Sequence, residues 1–457
     1  MKLKENWSRT DRYRPYKEWS EEHLHSLEKK INSSHWRLGY HIQPVTGLLN
    51  DPNGFSYFDG KWQLFYQAYP MGSVHGLKSW YHLSSVNLID WKNDGLKLIP
   101  DNSFDSHGVY SGSALPIDNQ LFLAYTGNVR DSNWGRHSFQ LGAWMDKNGN
   151  ITKIPTPLIS SPPPGYTQEI RDPQLIAYDD GYLLIVGAQT EQKQGRILTY
   201  YSKDLQNWQF LGTLGFTEEE MGFMIECPNL LFVNGKALLV FCPQGLSHEI
   251  HSYSNIYPNT YVIGQTFDFE KNELSDPTHI KNIDEGFDIY ATHCFSDENG
   301  RTLAISWIGL PEISYPTDEE GWAHCLSIVK ELTIEKEQLY QRPVKETAQL
   351  RKGKPYHFSG LETTIDAEIN QYELQLEFDY SQKGTILLFA DEQQKHGLTL
   401  SFDMIHGKMS MDRSHAGKSF AENFGTVREF SIEKKPLKLQ IFVDRSVVEV
   451  FVNDGQQ

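Results

Sequence analysis

Phe58-Asp59-Gly60-Lys61-Trp62-Gln63-Leu64-Phe65-Tyr66 sets an Asp-Gly pair ahead of a run of apolar and aromatic residues, the pattern of a tight hairpin turn feeding a β-strand. The arrangement returns at Asp118-Asn119, Asp180-Gly181, Asn234-Gly235 and Asn299-Gly300, each pair dividing one apolar strand from a second. The second strands fall at residues 62–66, 121–125, 182–186, 237–241 and 302–306. Turns repeating at intervals of about 60 residues leave room for a four-stranded sheet in each unit, and sheets repeated in this way pack radially. A second echo marks the same corner in units one and three: Ser85-Val86-Asn87-Leu88-Ile89-Asp90-Trp91 against Ser202-Lys203-Asp204-Leu205-Gln206-Asn207-Trp208. The reading is all-β, with a five-bladed β-propeller over residues 36–345.

On the N-terminal side, residues 1–35 read as an extension with one amphipathic helix that packs on the propeller and carries no chemistry. Ser20 caps this helix, Glu21 and Glu22 sit at its positive end, and Lys29 and Lys30 sit at its negative end. Leu24, Leu27 and Ile31 form its buried stripe. On the C-terminal side, alternation in Tyr372-Glu373-Leu374-Gln375-Leu376-Glu377-Phe378 and Leu437-Lys438-Leu439-Gln440-Ile441-Phe442-Val443 indicates a β-sandwich over residues 346–457. No return strand follows Asp454-Gly455, so this sandwich is expected to be short or truncated.

The 457 residues carry a formal net charge of -17, which argues against nucleic acid or an anionic membrane as partner, because both require a basic face. Aromatics make up 13% of the chain, with 11 Trp and 23 Tyr, a load that suits β-structure and the stacking of sugar faces. Cys227, Cys242, Cys294 and Cys325 lack the close spacing of a zinc or redox centre and read as reduced thiols. No metal or cofactor is called for. Met1-Lys2-Leu3-Lys4-Glu5-Asn6 lacks the apolar run of a secretory signal, and the expected setting is cytoplasmic.

The turns also serve as rulers for chemistry. Asp51 lies 8 residues ahead of Asp59, Asp172 8 ahead of Asp180 and Glu226 8 ahead of Asn234, which puts three carboxylates at one height on the first strands of three blades. First strands line a propeller's central channel, so the three should converge at one mouth. Ser111, 7 before Asp118, and Tyr290, 9 before Asn299, come near the same level. Asn50-Asp51-Pro52-Asn53-Gly54 is also what an ordinary turn is made of, but the shared register favours a site. Pro52 holds its predecessor out of the helical region and Gly54 admits a backbone a side chain would forbid.

Asn50-Asp51-Pro52-Asn53-Gly54, Tyr110-Ser111-Gly112-Ser113-Ala114, Arg171-Asp172-Pro173 and Glu226-Cys227-Pro228 together resemble the successive signatures of glycoside hydrolase family 32, the β-fructofuranosidases. The resemblance covers nearly the whole chain and implies a propeller joined to a sandwich. It implies Asp51 as nucleophile and Glu226 as general acid/base of a retaining hydrolase, with Asp172 ionised and gripping fructose hydroxyls. Glu226 must then hold a proton, for which Phe223, Met224 and Ile225 offer an apolar surround. Asn50, Gln67, Trp80, Tyr110, Ser111 and Arg171 match positions that line the fructose pocket. Cys227 reads as a small buried neighbour and the role of Tyr290 is open.

Leu48-Leu49 before Asn50, Trp80-Tyr81-His82, and Tyr125-Thr126-Gly127-Asn128-Val129-Arg130-Asp131 resemble the intracellular bacterial branch of that family, which cleaves sucrose 6-phosphate. The implied substrate is sucrose 6-phosphate, with sucrose beside it. A sucrose or short-fructan hydrolase indifferent to phosphate, a non-catalytic sugar-binding propeller and an inverting arabinan-cleaving propeller are the alternatives. A dianionic substrate requires local cations, and Lys78, Arg130 and Arg136 are the candidates, with His75 and His137 nearby. The sequence leaves the oligomeric state open.

Overall fold

The computed structural model describes residues 6–457 except residue 368. Five antiparallel sheets of four main strands follow one another along the chain. Blade one runs Gly47–Phe58, Lys61–Tyr69, Ser79–Ser85 and Lys92–Leu98, and blade two runs Val109–Ile117, Gln120–Arg130, Arg136–Met145 and Ile151–Lys153. Blade three consists of Tyr166–Tyr178, Gly181–Thr190, Gly195–Ser202 and Gln209–Thr213. Blade four consists of Met224–Val233, Lys236–Gln244, Thr260–Gly264 and Lys281–Asn282, and blade five of Ile289–Ser296, Thr302–Ile308, Lys330–Glu335 and Gln338–Pro343. The first strand of each blade touches the first strands of its neighbours all round the ring. Closure comes from the two-residue strand Trp322–Ala323, which pairs in parallel with Gly47 and Leu48.

Both faces of each inner strand are buried, one against each neighbouring blade, so the second strands are continuously apolar rather than alternating. Residues 121–125 and 237–241 are all buried at 0–1% exposure, and their clusters fill the gaps between blades. A void of about 10 Å³ lies among residues of the first strands, Asn53, Asp172, Gln174, Asn229 and His293.

The N-terminal helix spans Glu21–Asn32, with Ser20 Oγ accepting from His23 N at 3.2 Å. Leu27 and Ile31 pack on Leu38, Trp322 and Cys325, while Leu24 joins a separate cluster around Tyr69 and Met71. The extension holds more than the one expected helix, since a short helix, Arg9–Arg12, precedes it with Ser8 and Asp11 forming a reciprocal cap.

The C-terminal unit is a sandwich of a three-stranded sheet (Gln371–Phe378, Leu437–Asp444, Val447–Val452) and a four-stranded sheet (Lys383–Leu388, Leu398–Asp403, Lys408–Asp412, Val427–Ser431). It is anchored to the propeller through Asp444, which accepts from the backbone N–H groups of Gly39, Tyr40 and His41 at 2.7–3.0 Å. The buried His41 ring bridges Asp444 and Glu449, at 2.9 Å to each. A cavity of about 850 Å³, walled by propeller residues such as Phe287 and Tyr315 and sandwich residues such as Met411 and Phe420, lies between the units.

Candidate active site

Every inner strand is interrupted at one level, where two residues stand opposite one. The pairs are Asn50-Asp51 opposite Gln67, Tyr110-Ser111 opposite Thr126, Asp172-Pro173 opposite Val186, Cys227-Pro228 opposite Phe241 and Ala291-Thr292 opposite Ser306. Such β-bulges bend a strand and re-aim its side chains. Asp172, Cys227 and Ala291 take φ of 67°, 48° and 49° there, and Pro173 and Pro228 suit the unpaired position because they have no N–H to leave unbonded.

In this frame the three carboxylates do not occupy one equivalent position, contrary to the turn spacing. Asp51 is second in its bulge, Asp172 is first, and Glu226 precedes its bulge. Two irregularities disguised the offset: the third blade turns at Asp179-Asp180 rather than Asp180-Gly181, and blade one has a second bulge at Gly54-Phe55, where Gly54 has φ 56°. The bulges bring the three groups together nonetheless. Cys227 N–H donates to Asp172 Oδ2 at 3.0 Å, and its Sγ lies 3.6 Å from that oxygen and 3.9 Å from Asp51 Oδ2.

Asp51 is held by a closed ring of hydrogen bonds. Asn50 Nδ2 donates to Asp51 Oδ1 at 3.0 Å and to Gln67 Oε1 at 2.7 Å. Gln67 Nε2 donates to Ser111 Oγ, which donates to Asp51 Oδ2. Glu226 is held separately. Arg171 Nε donates to its Oε1 at 2.7 Å, and Gln244 Nε2 and Tyr290 Oη donate to its Oε2 at 2.8 and 2.6 Å. Of the residues expected to surround it, Phe223 is 43% exposed, whereas Met224 is buried and Ile225 lies in the core between blades three and four.

Burial pushes the Asp51 carboxyl up, with the hydrogen bonds of Ser111 and Asn50 opposing, the Glu226 charge adding and Lys78 opposing. Burial pushes Asp172 up to about 7, the Glu226 charge reinforcing it while Arg171 and the Cys227 N–H oppose. The ionised Asp172 expected from the sequence is thus opposed by burial and by the charges of Glu226 and Asp51. Cys227 stays a thiol, its ionisation opposed by burial and by Asp172 and Asp51.

Of the expected pocket residues, Asn50, Gln67, Ser111 and Arg171 meet at the carboxylates, and Tyr110 stands half-buried above them. Trp80 does not face the pocket. It is fully buried against Phe65 and Tyr125 and donates Nε1 to Tyr110 O at 3.0 Å, so it supports Tyr110 from beneath. Lys78 also lies inside, 4% exposed, with Nζ on Asn50 Oδ1. His75 is packed between Trp307 and His324, and His137 pairs with Asp131 at 3.2 Å.

Arg130 and Arg136 face each other directly across neighbouring strands of blade two. Arg136 Nη1 donates to Glu169 at 2.8 Å and its guanidinium lies 5.6 Å from the Tyr110 ring. Arg130 Nη1 donates to Trp134 O at 3.3 Å, and the Nε atoms of both arginines are buried without a partner. From the N-terminal extension, Tyr13 packs edge-on against Trp134 at 5.1 Å and Arg9 lies over the same ring at 4.5 Å.

Sequence reasoning missed Gln244 and Glu169, and left Tyr290 without a role. Gln244 had a faint signal, a polar residue closing the apolar strand 237–242. Glu169 had none, since it acts only through the two arginines that bracket it. Among the described residues no group of His, Cys, Asp and Glu is placed to hold a metal ion, and no helix is long and apolar enough to cross a membrane.

The glycosyl hydrolases family 32 N-terminal domain matches residues 41–343 and the family 32 C-terminal domain matches residues 335–457. The sucrose-6-phosphate hydrolase of Pediococcus pentosaceus is 48% identical over 98% of this chain and 90% of its own. The solved structure of sucrose-6-phosphate hydrolase from Lactobacillus gasseri superposes with a TM-score of 0.95 at 42% identity, covering 99% of this chain and 93% of that one. A Bombyx mori β-fructofuranosidase mutant in complex with sucrose gives a TM-score of 0.79 at 31% identity, over 95% and 90% of the two chains. With its fold, its bulge-borne carboxylates and these matches in agreement, the chain belongs to glycoside hydrolase family 32.

Proposed function

We propose that this enzyme hydrolyses the β-fructofuranosidic bond of sucrose 6-phosphate, and of sucrose, with retention at the anomeric carbon. Asp51 attacks C2 of the fructosyl group while Glu226 gives its proton to the departing glucose oxygen, leaving a fructosyl ester on Asp51. Water then gives a proton back to Glu226 and attacks C2, releasing fructose and the Asp51 carboxylate. Asp172 bonds fructose hydroxyls and stabilises the positive charge that develops on the ring. Arg171, Gln244 and Tyr290 fix the Glu226 carboxyl in line with the leaving oxygen.

The observation that carries the phosphate preference is the Arg130/Arg136 pair. Like charges directly opposite in a ladder repel, and of the two, among the described residues, Arg136 alone forms an ion pair with a carboxylate, Glu169. A phosphate dianion at the glucose end would relieve that repulsion and give the partnerless Nε groups an acceptor. The names of the relatives support the same substrate. A phosphorylated sugar is retained inside a cell by its charge, and the four free, buried cysteines suit a reducing compartment, both of which support a cytoplasmic setting.

Initial rates on sucrose 6-phosphate, sucrose and a short inulin at matched concentrations test this. The expected order of kcat/KM is sucrose 6-phosphate, then sucrose, then inulin. Equal values for the first two, or a preference for inulin, would count against it.

A further inference from the structure

The ring around Asp51 runs in one sense, with its donors aimed at the carboxylate. Asn50 presents its NH2 to Asp51 and Gln67, Gln67 presents its NH2 to Ser111, and Ser111 presents its O–H to Asp51. If Asn50 flipped, its carbonyl would face two acceptors, and if Gln67 flipped, its NH2 would face the Asn50 NH2 while its carbonyl drew the Ser111 O–H away from Asp51, so either flip costs the carboxylate a donor. Asn50 Oδ1 lies outside the ring. The donor on it is Lys78 Nζ, buried beside the site.

We infer that Lys78 is a positioning residue for the nucleophile: by donating to Asn50 Oδ1 it fixes the Asn50 amide, and through it the whole ring, in the sense that aims two donors at Asp51. It acts through Asn50 and does not meet the substrate phosphate. The backbone holding it is itself clamped. Lys78 O accepts from Val109 N at 2.9 Å, Leu77 N donates to Arg12 O at 2.7 Å, and Tyr16 Oη donates to Leu77 O. The N-terminal extension, expected to carry no chemistry, thus holds the lysine that holds the ring.

The electrostatics agree. Burial brings the Lys78 ammonium down to about 7 against the pull of Asp51, and Lys78 in turn favours the ionised form of Asp51. The titratable groups facing Asp51 are Glu226, Asp172, Cys227, Cys242 and Lys78, and those facing Lys78 are Asp51, His75 and His324. Both histidines are held neutral by burial, so Lys78 is the cation whose loss Asp51 would feel.

The inference rests on Asp51 being the nucleophile, and the test separates the two. In Lys78→Met, which keeps the packing and removes the donor, kcat should fall by about tenfold or more on sucrose and on sucrose 6-phosphate alike. The acidic limb of kcat/KM should move up by about one pH unit. Asp51→Asn is run alongside. An inactive Asp51→Asn with a normal rate and pH profile in Lys78→Met would overturn the role of Lys78, whereas an active Asp51→Asn would overturn the nucleophile assignment itself. A loss in Lys78→Met confined to sucrose 6-phosphate would make Lys78 a phosphate contact and also overturn the inference. If Lys78→Met does not fold, Lys78→Gln, which keeps a neutral N–H donor, should show the shifted acidic limb with a smaller loss in kcat, and an unshifted limb there would overturn the inference.

Discussion

Arg171 donates through Nε to Glu226 Oε1 at 2.7 Å and through Nη1 to Glu169, which also accepts from Arg136 at 2.8 Å. One guanidinium thus ties Glu226, the proposed proton donor, to Glu169 and through it to Arg136. Burial would raise Glu169, but the charges of Arg171 and Arg136 hold it below its usual range, so it is ionised at neutral pH and keeps both arginines in place. Glu169→Gln should free Arg171 to shift and lower kcat by about tenfold, with little change in thermal stability. Steady-state kinetics with a melting curve check this.

Asp172→Asn should reduce kcat by a hundredfold or more while changing KM for sucrose by less than about threefold, because a contact that tightens as the ring flattens acts in the transition state. The substitution also removes the charge from the acceptor of the Cys227 N–H, yet the amide oxygen can still accept, so the bulge should survive. A kinetic comparison with circular dichroism separates lost chemistry from lost fold.

Replacing Arg130 or Arg136 with Ala should raise KM for sucrose 6-phosphate by about tenfold and leave sucrose nearly unaffected, since only the former offers a dianion to a guanidinium. Arg130→Ala should be the cleaner variant, because Arg136 also orders Glu169. The preference of the unaltered enzyme for sucrose 6-phosphate should shrink as salt is added. Paired Michaelis curves at low and high ionic strength measure both effects.

His41 supplies a stability prediction. Burial alone would lower its pKa, but the hydrogen bonds and charges of Asp444 and Glu449 raise it to about 9. A raised folded-state value stabilises below the unfolded value of about 6.5 and is lost as pH climbs through the folded one, so the sandwich anchor should weaken between those limits. Asp444 falls to about 2 against burial, chiefly through His41, so its contribution is present above the ordinary carboxylate range and is lost toward pH 2. The alkaline loss for His41 is on the order of 2–3 kcal/mol. Melting curves from pH 6 to 9.5 should slope downward, and His41→Asn should flatten them at a lower starting stability.

Much of this was legible in the sequence, for identifiable reasons. The hairpin dipeptides gave five blades because a two-residue turn demands special backbone angles and so declares itself locally. Asp51, Asp172 and Glu226 were found by counting from those turns, yet the count hid their true registers, since a bulge adds a residue without leaving a compositional mark. Trp80 is fully buried and not on the pocket surface, because spacing does not reveal which side of a strand faces solvent when both are covered, and Lys78 is buried rather than at the rim, because charge in a loop does not reveal burial. Glu169, Gln244 and His41 depend on Arg136, Glu226 and Glu449, which lie 33, 18 and 408 residues away in the chain, and no local pattern encodes such distances.

The proposed retaining mechanism requires Asp51 to become covalently fructosylated with Glu226 as its acid/base. Glu226→Gln cannot protonate glucose but should still react with an aryl β-fructofuranoside whose leaving group needs no proton, and without a base the ester should hydrolyse slowly and accumulate. Mass spectrometry of that quenched mixture should show one added fructosyl group on the peptide containing Asp51, absent in the Asp51→Asn/Glu226→Gln double variant. A label on another residue, or turnover of the aryl substrate with no adduct and with inverted product, would contradict the account.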